Sequence, residues 1–200
     1  MKIATSVFIS YMTLYLVIYI HEIGHAIFYY KYGCKKNWWQ VTVKPYLFFS
    51  TPLPIDIKKA ELLFQRQNIF IASGGMAANL IFAVITFFIL QKVNQNYYIN
   101  LFLYQFLTLH LAEIISYLII GNIYLVSDME IIVKLKSSLR PLYFIFGLLI
   151  GIFYVLFLIS IPKGYKFIVV LFNVITIVCM GVGRIIFTIV HKKHNNASVF

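Results

Sequence analysis

The residues best suited to carry out chemistry are His21, Glu22 and His25, which form an HExxH pattern. Residues four apart lie on the same face of a helix, so both imidazoles can bind one Zn²⁺ ion. Glu22 lies one step round that helix, where it can serve as the general base towards a zinc-activated water. The pattern therefore predicts a zinc site with hydrolytic chemistry, in which Glu22 is the catalytic residue.

The position of this pattern strengthens the prediction. Residues 3–20 contain no Asp, Glu, Lys, Arg or His, so the pattern closes a long apolar segment. Ionisable side chains in such a segment are costly in lipid and usually belong to a functional site. The alternative is a chance polar patch that stabilises helix packing, and the cost of three ionisable groups disfavours it.

The composition is typical of a membrane protein. Of the 200 residues, 62% are hydrophobic and only 12% are charged, whereas about a quarter of an ordinary soluble domain is charged. Lysines at the ends of membrane helices explain the net charge of +11, so we expect a lipid bilayer and no nucleic acid as partner. The two cysteines, Cys34 and Cys179, indicate neither a disulfide framework nor a CxxC metal site.

Five segments are long enough to cross a bilayer as helices, which takes about 20 apolar residues. They cover about 4–30, 68–91, 99–133, 142–161 and 166–190. We therefore predict an all-α fold, a polytopic bundle of about five transmembrane helices in one integral membrane domain over 1–200. Alternating residues and three prolines in the loop after the first helix predict a short β-hairpin or a re-entrant element there.

The third segment is too long for a bilayer. A straight helix over 99–133 would measure about 50 Å, while the hydrocarbon core is about 30 Å thick. We expect a break at Gly121-Asn122 or at Ser127-Asp128. Because irregular backbone at membrane depth is tolerated only where it is buried in protein or lines a cavity, the break should belong to a site.

A catalytic zinc usually has three protein ligands, and HExxH supplies two. Depth favours Asp128 as the third, because His25 and Asp128 each stand six residues before a lysine that ends its segment. Glu113, with His110 on the same helix face, is the alternative ligand but lies much deeper. Two simpler interpretations remain open: Asp128 as the N-cap of the next helix, and His110 with Glu113 as a packed or hydrogen-bonded pair.

Two further motifs follow HExxH in order. The second segment contains a GxxxN turn, Gly75 to Asn79, and the third contains Asn122 followed by Asp128. With these three motifs, residues 4–135 resemble the site-2 proteases, the intramembrane zinc metalloproteases. The chain departs from the family pattern at Met76, where Pro is usual, and at Met129, where Gly is usual.

The resemblance implies a zinc metalloendopeptidase that cleaves a membrane-embedded or membrane-associated peptide or protein. It implies a protease-like core over about 4–135 and two additional transmembrane helices over about 142–190. The residues implied as zinc ligands are His21, His25 and Asp128, and those implied at the substrate are Asn79, Gly75 and Asn122.

Two other functions stay open. A catalytically inactive membrane protein of the same fold could act in immunity, export or assembly of a peptide system. A transporter subunit could use His110, Glu113 and Arg184 as a polar pathway. Five segments without a visible repeat disfavour the transporter.

The distribution of Lys and Arg predicts the orientation. Twelve lie on one side, in the first loop, after the third segment and in the tail, whereas four lie on the other side. Because basic residues concentrate in the cytoplasm, the N-terminus should be outside and the C-terminus cytoplasmic. We expect an integral protein of a bacterial cell membrane.

Overall fold

The computed structural model describes residues 2–45, 50–92 and 96–197, without the side chains of residues 2, 185 and 187–197. No strand forms among these residues, so the predicted all-α fold class is confirmed. In chain order the elements are α1 (Lys2–Lys31), α2 (Ile57–Glu61), α3 (Gln65–Lys92), α4 (Tyr97–Ile115), a π-helix (Ser116–Gly121), α5 (Asn122–Tyr124), α6 (Asp128–Leu135), a 3-10 turn (Ser137–Leu139), α7 (Arg140–Ser160) and α8 (Lys163–Ala197).

Five of the described helical stretches are long and apolar enough to cross a membrane. The third consists of α4, the π-helix and α5, over Tyr97–Tyr124. Buried residues make up 72% of the central part of this span and only 17–33% of the other four. The third span is therefore the centre around which the others pack.

A buried polar network ties the last two spans to the rest of the bundle. Gln105 of α4 donates from Nε2 to Ser10 Oγ of α1 at 2.9 Å. Asn173 of α8 donates from Nδ2 to Gln105 Oε1 at 3.1 Å and to Thr108 Oγ1 at 3.0 Å. The Tyr154 hydroxyl of α7 donates to Asn173 Oδ1 at 3.2 Å. Such bonds stabilise the association of helices in a membrane, where lipid provides no hydrophobic driving force between them.

Replacing Asn173 by Leu should therefore destabilise the bundle by about 2 kcal/mol, because it removes several interhelical bonds and leaves their partners unsatisfied. Thermal unfolding of the detergent-purified protein would measure the loss. Thr176→Val is the matched control on the same helix, since the Thr176 hydroxyl bonds to Phe172 O within α8. Equal unfolding temperatures for the two variants would contradict the assignment.

The loop after α1 runs back along that helix. The Tyr19 hydroxyl donates to Trp39 O at 3.0 Å, and the Tyr11 hydroxyl donates to Pro45 O. Tyr19 and Tyr11 precede the end of α1 by about 18 Å and about 30 Å at helical rise. The loop thus folds back along α1, and its entry into the membrane stays a prediction.

The predicted β-hairpin in this loop is reduced to a single antiparallel bridge between Thr42 and Thr51, and residues 46–49 lie outside the described part. Lys35 holds the base of the loop, because its ammonium donates to Pro52 O at 2.7 Å and to Pro54 O at 2.8 Å. Burial lowers the pKa of Lys35. The two carbonyls supply the acceptors that a buried ammonium requires.

Candidate metal centre

Helices α1 and α3 cross in backbone contact at their glycines. A Cβ on Gly74 would lie 2.5 Å from Gly24 O. A Cβ on Gly75 would lie 2.5 Å from His21 Nε2 and 2.6 Å from His25 Nε2. Small residues permit this approach, and the two imidazoles of α1 consequently lie directly over Gly75.

His21 and His25 direct the same ring nitrogen to one point. Their Nε2 atoms are 3.0 Å apart, and both side chains are buried. His25 Nδ1 lies 2.6 Å from Ile71 O of α3. Because a carbonyl only accepts, Nδ1 of His25 carries the proton, and Nε2 of the neutral ring can bind a cation.

Asp128 completes the cluster from the other side. Its Oδ2 lies 3.4 Å from His21 Nε2 and 3.3 Å from His25 Nε2. Despite these distances, Oδ2 is buried with no hydrogen-bond partner. Two imidazole nitrogens and an unsatisfied carboxylate oxygen are a donor set that fits Zn²⁺ and leaves a coordination position open. Among the described residues, this is the group of His, Cys, Asp and Glu placed to hold a metal ion.

A strained turn at residues 125–127 places Asp128. Leu125 has φ 52° and Ser127 has φ 57°, a region that non-glycine residues rarely adopt. Val126 N donates to Gly121 O at 3.1 Å, which closes the turn. Positive φ at such residues costs about 1–3 kcal/mol each and persists only where the surrounding structure holds it. The predicted break next to Ser127-Asp128 is thereby confirmed.

Helix α6 begins at Asp128 and is anchored by Met129 and Ile132, which are both fully buried. Met129, at the position where the resembled family has Gly, is thus a core residue of this bundle. Ser127 occupies the N-cap position without a side-chain capping bond. The competing interpretation of Asp128 as the N-cap is therefore wrong, and its carboxylate faces the histidines.

Comparisons of the chain with family models, with curated proteins and with solved structures gave no match.

Glu22 lies in the same buried cluster as His21, His25 and Asp128. It is 6% exposed, and its carboxylate interacts electrostatically with these three side chains. A carboxylate in this position can accept a proton from a water beside the metal position and return it. The site therefore brings together three side chains that can ligate a metal ion and one carboxylate that can act as a base.

Asn79 bridges two histidines. Its Nδ2 lies 3.1 Å from His21 Nδ1, and its Oδ1 lies 3.0 Å from His110 Nδ1. Asn79 is fully buried. The structure thus shows Asn79 in contact with one of the predicted zinc ligands, while its role at a substrate stays a prediction.

Asn122 makes its described hydrogen bonds to Arg140 at the start of α7. Its Nδ2 donates to Arg140 O at 3.0 Å, and its Oδ1 accepts from Arg140 Nε at 3.1 Å. Arg140 also donates to Asn122 O at 3.1 Å. These bonds fasten α5 to α7, so the structure gives Asn122 a packing role and its substrate role stays a prediction.

His110 and Glu113 are both buried, as expected for a packed pair. The predicted hydrogen bond between His110 and Glu113 does not form, because Nδ1 of His110 bonds to Asn79 instead. Nε2 of His110 and Oε2 of Glu113 are each buried without a hydrogen-bond partner. The two residues therefore leave buried polar atoms beside the metal centre.

Sequence reasoning missed Tyr117 and the contact it makes with α8. The Tyr117 ring stacks on His21 with centroids 4.6 Å apart, and Arg184 Cζ lies 3.9 Å from the Tyr117 centroid. Arg184 also donates from Nε to Ser116 Oγ at 2.9 Å. The position of Arg184 inside the fifth span could have indicated a role at the site, because ionisable residues are rare in membrane spans. Nothing in the sequence distinguishes Tyr117 from the other tyrosines, of which the chain has 15 in all.

Proposed function

We propose that this protein is an intramembrane zinc metalloprotease that cleaves a membrane-embedded or membrane-associated peptide or protein. The observation that carries the proposal is the convergence of His21 Nε2, His25 Nε2 and Asp128 Oδ2 from two helices that are distant in sequence. The buried base Glu22 beside them supports hydrolysis over a purely structural metal site.

The chemistry that a bound Zn²⁺ supplies is Lewis acidity, which acidifies a water molecule and polarises a carbonyl. Glu22 accepts a proton from the water whose oxygen attacks the scissile carbonyl carbon. Glu22 then delivers that proton to the amine nitrogen as the C–N bond breaks. Asp128 and the two histidines would hold the ion, and burial of the cluster excludes bulk water, which strengthens electrostatic interactions there.

The location of the cluster supports a membrane substrate. His21 and His25 lie inside the first span, about 9–15 Å before its end at Lys31. A substrate helix would have to unwind locally to present a carbonyl there. The Lys and Arg distribution supports an orientation with this end of the span at the cytoplasmic face and the N-terminus outside. We propose that the membrane is a bacterial cell membrane.

Two observations favour a second candidate, a catalytically inactive membrane protein of the same fold that acts in peptide immunity, export or assembly. Asn122, which the family resemblance implies at the substrate, is instead bonded to Arg140. Met129 fills the position where the family has Gly. Zinc content together with peptide cleavage separates the two candidates.

We expect about one zinc per chain in the detergent-purified protein and much less in Asp128→Ala, because a carboxylate ligand is lost. Elemental analysis after gel filtration would measure the content. Glu130→Ala is the matched control on the same helix. Glu130 pairs with Lys134 at 2.6 Å, so its replacement should leave the zinc content unchanged.

Absence of zinc from the wild type under zinc-replete conditions would favour the inactive candidate. Equal zinc in wild type and Asp128→Ala would reject Asp128 as the third ligand and direct attention to Glu113 and His110. Thermal unfolding of each variant would show that a loss of zinc reflects the site and not a loss of fold.

A further inference from the structure

The Asn79 amide lies between two histidine rings and can be placed in two ways. Its oxygen and nitrogen have nearly the same shape, so a half-turn of the amide exchanges donor and acceptor at the same positions. In one of these placements, Nδ2 donates to His21 Nδ1, 3.1 Å away, and Oδ1 accepts from His110 Nδ1, 3.0 Å away.

This orientation closes His21 to a cation. A neutral imidazole carries a single N–H, so a ring that accepts at Nδ1 has its proton on Nε2. That Nε2 faces His25 Nε2 at 3.0 Å and Asp128 Oδ2 at 3.4 Å. After a half-turn of the amide, Asn79 Oδ1 accepts from His21 Nδ1–H, and the Nε2 lone pair is open to Zn²⁺.

His110 must change with the amide. After the half-turn, Asn79 Nδ2 donates to His110 Nδ1, which must then accept, so the His110 proton stands on Nε2. Nε2 is the atom of His110 that is buried without a partner. Each ring exchanges one N–H for the other, and the pair takes up or releases no net proton.

The surroundings of His110 keep it in this bridging role. Its ring stacks on Phe82 with centroids 5.9 Å apart and meets the Phe106 ring edge-on at 4.4 Å. Both aromatic rings fix the imidazole against Asn79. His110 is thus placed to act on His21 through the amide, without ligating the metal.

We propose that His110 is a positioning residue of the metal centre: through Asn79 it sets which nitrogen of His21 carries the proton. With Zn²⁺ at His21 Nε2, the amide has to accept from His21 Nδ1–H and donate to His110 Nδ1, so the His110 proton stands on Nε2. The inference rests on the zinc site of the proposed function and does not require proteolysis.

The direct test is the tautomer of His110, read by ¹⁵N NMR of histidine-labelled protein in detergent with and without one equivalent of zinc alone. We expect His110 to be the Nε2–H tautomer in the zinc-loaded protein, although it is not a ligand. A His110 signal of the Nδ1–H tautomer while zinc occupies His21 would overturn the proposal.

Two substitutions distinguish the relay from simple packing. His110→Phe keeps the ring between Phe82 and Phe106 but removes both nitrogens, whereas His110→Asn loses the ring but keeps an amide that can accept or donate near the Nδ1 position. The relay predicts that His110→Phe weakens zinc binding by about tenfold or more and that His110→Asn recovers most of the loss. A packing role predicts the reverse order. Competition with a chelator would measure both affinities.

The outcomes separate this inference from the proposed function. Zinc binding with the Nε2–H tautomer at His110 but without cleavage would support the relay and reject the protease. Zinc binding with unchanged affinity in both His110 variants would reject the relay alone. A wild-type protein that binds no zinc would reject both.

Discussion

Glu22→Gln should keep zinc bound and abolish peptide-bond cleavage. Glutamine has the shape of glutamate, and Glu22 is not among the three metal donors, so the cluster should persist. An amide cannot take the proton from the attacking water, and loss of a general base typically costs about 10²–10⁴-fold in rate. The measurement uses single-span peptides reconstituted with the protein in lipid vesicles, with fragments identified by mass spectrometry and zinc determined in parallel.

Glu130→Gln serves as the control, because Glu130 is a carboxylate of α6 that pairs with Lys134 away from the histidines. It should cleave and bind zinc as the wild type does. Cleavage by Glu22→Gln at a rate comparable to the wild type would reject Glu22 as the base. Loss of zinc from Glu22→Gln would instead mean that Glu22 helps to hold the metal.

The spans and the proximity of His21, His25 and Asp128 could be predicted because each depends on a local or additive property of the sequence. Lipid requires about 20 apolar residues per span, and helical spacing brings His21 and His25 together. Asp128 followed from depth, because two residues equally far from basic helix ends must lie at similar heights. The break before Asp128 followed from a segment that is longer than a bilayer is thick.

The remainder of the site depends on pairings between distant residues that no local pattern specifies. Tyr117 lies in the π-helix at Ser116–Gly121 and stacks on His21, and nothing in its sequence neighbourhood distinguishes it. His110 was expected to pair with its neighbour Glu113, yet it bonds to Asn79, 31 residues away. Asn122 was assigned to substrate by resemblance, whereas Arg140 is its partner in the fold.

Gly24, inside the HExxH pattern, is another residue whose role depends on contacts with residues distant in sequence. Its replacement should have a large effect. Gly24→Ala should destabilise the protein by about 3 kcal/mol and abolish zinc binding. Its Cβ would lie 2.7 Å from the carbonyl carbon of Gly74 and 2.8 Å from Gly75 Cα, which are backbone atoms that cannot rotate away. Separation of α1 from α3 would also take His25 away from Ile71 O and His21 away from Asn79.

Two matched glycine variants separate the crossing from the metal position. A Cβ on Gly75 meets the tips of the two imidazoles, which can rotate, so Gly75→Ala should lose zinc with a smaller loss of stability. A Cβ on Gly151 in α7 lies 3.9 Å from Ile119 Cδ1, an ordinary contact, so Gly151→Ala should be neutral or stabilise by up to about 1 kcal/mol through helix propensity. Thermal unfolding and zinc content of the three variants test this order.

A Gly24→Ala protein with the unfolding temperature and zinc content of the wild type would contradict the prediction. It would show that the two helices can separate without disturbing the site. The backbone crossing would then be rejected as the feature that positions the histidines.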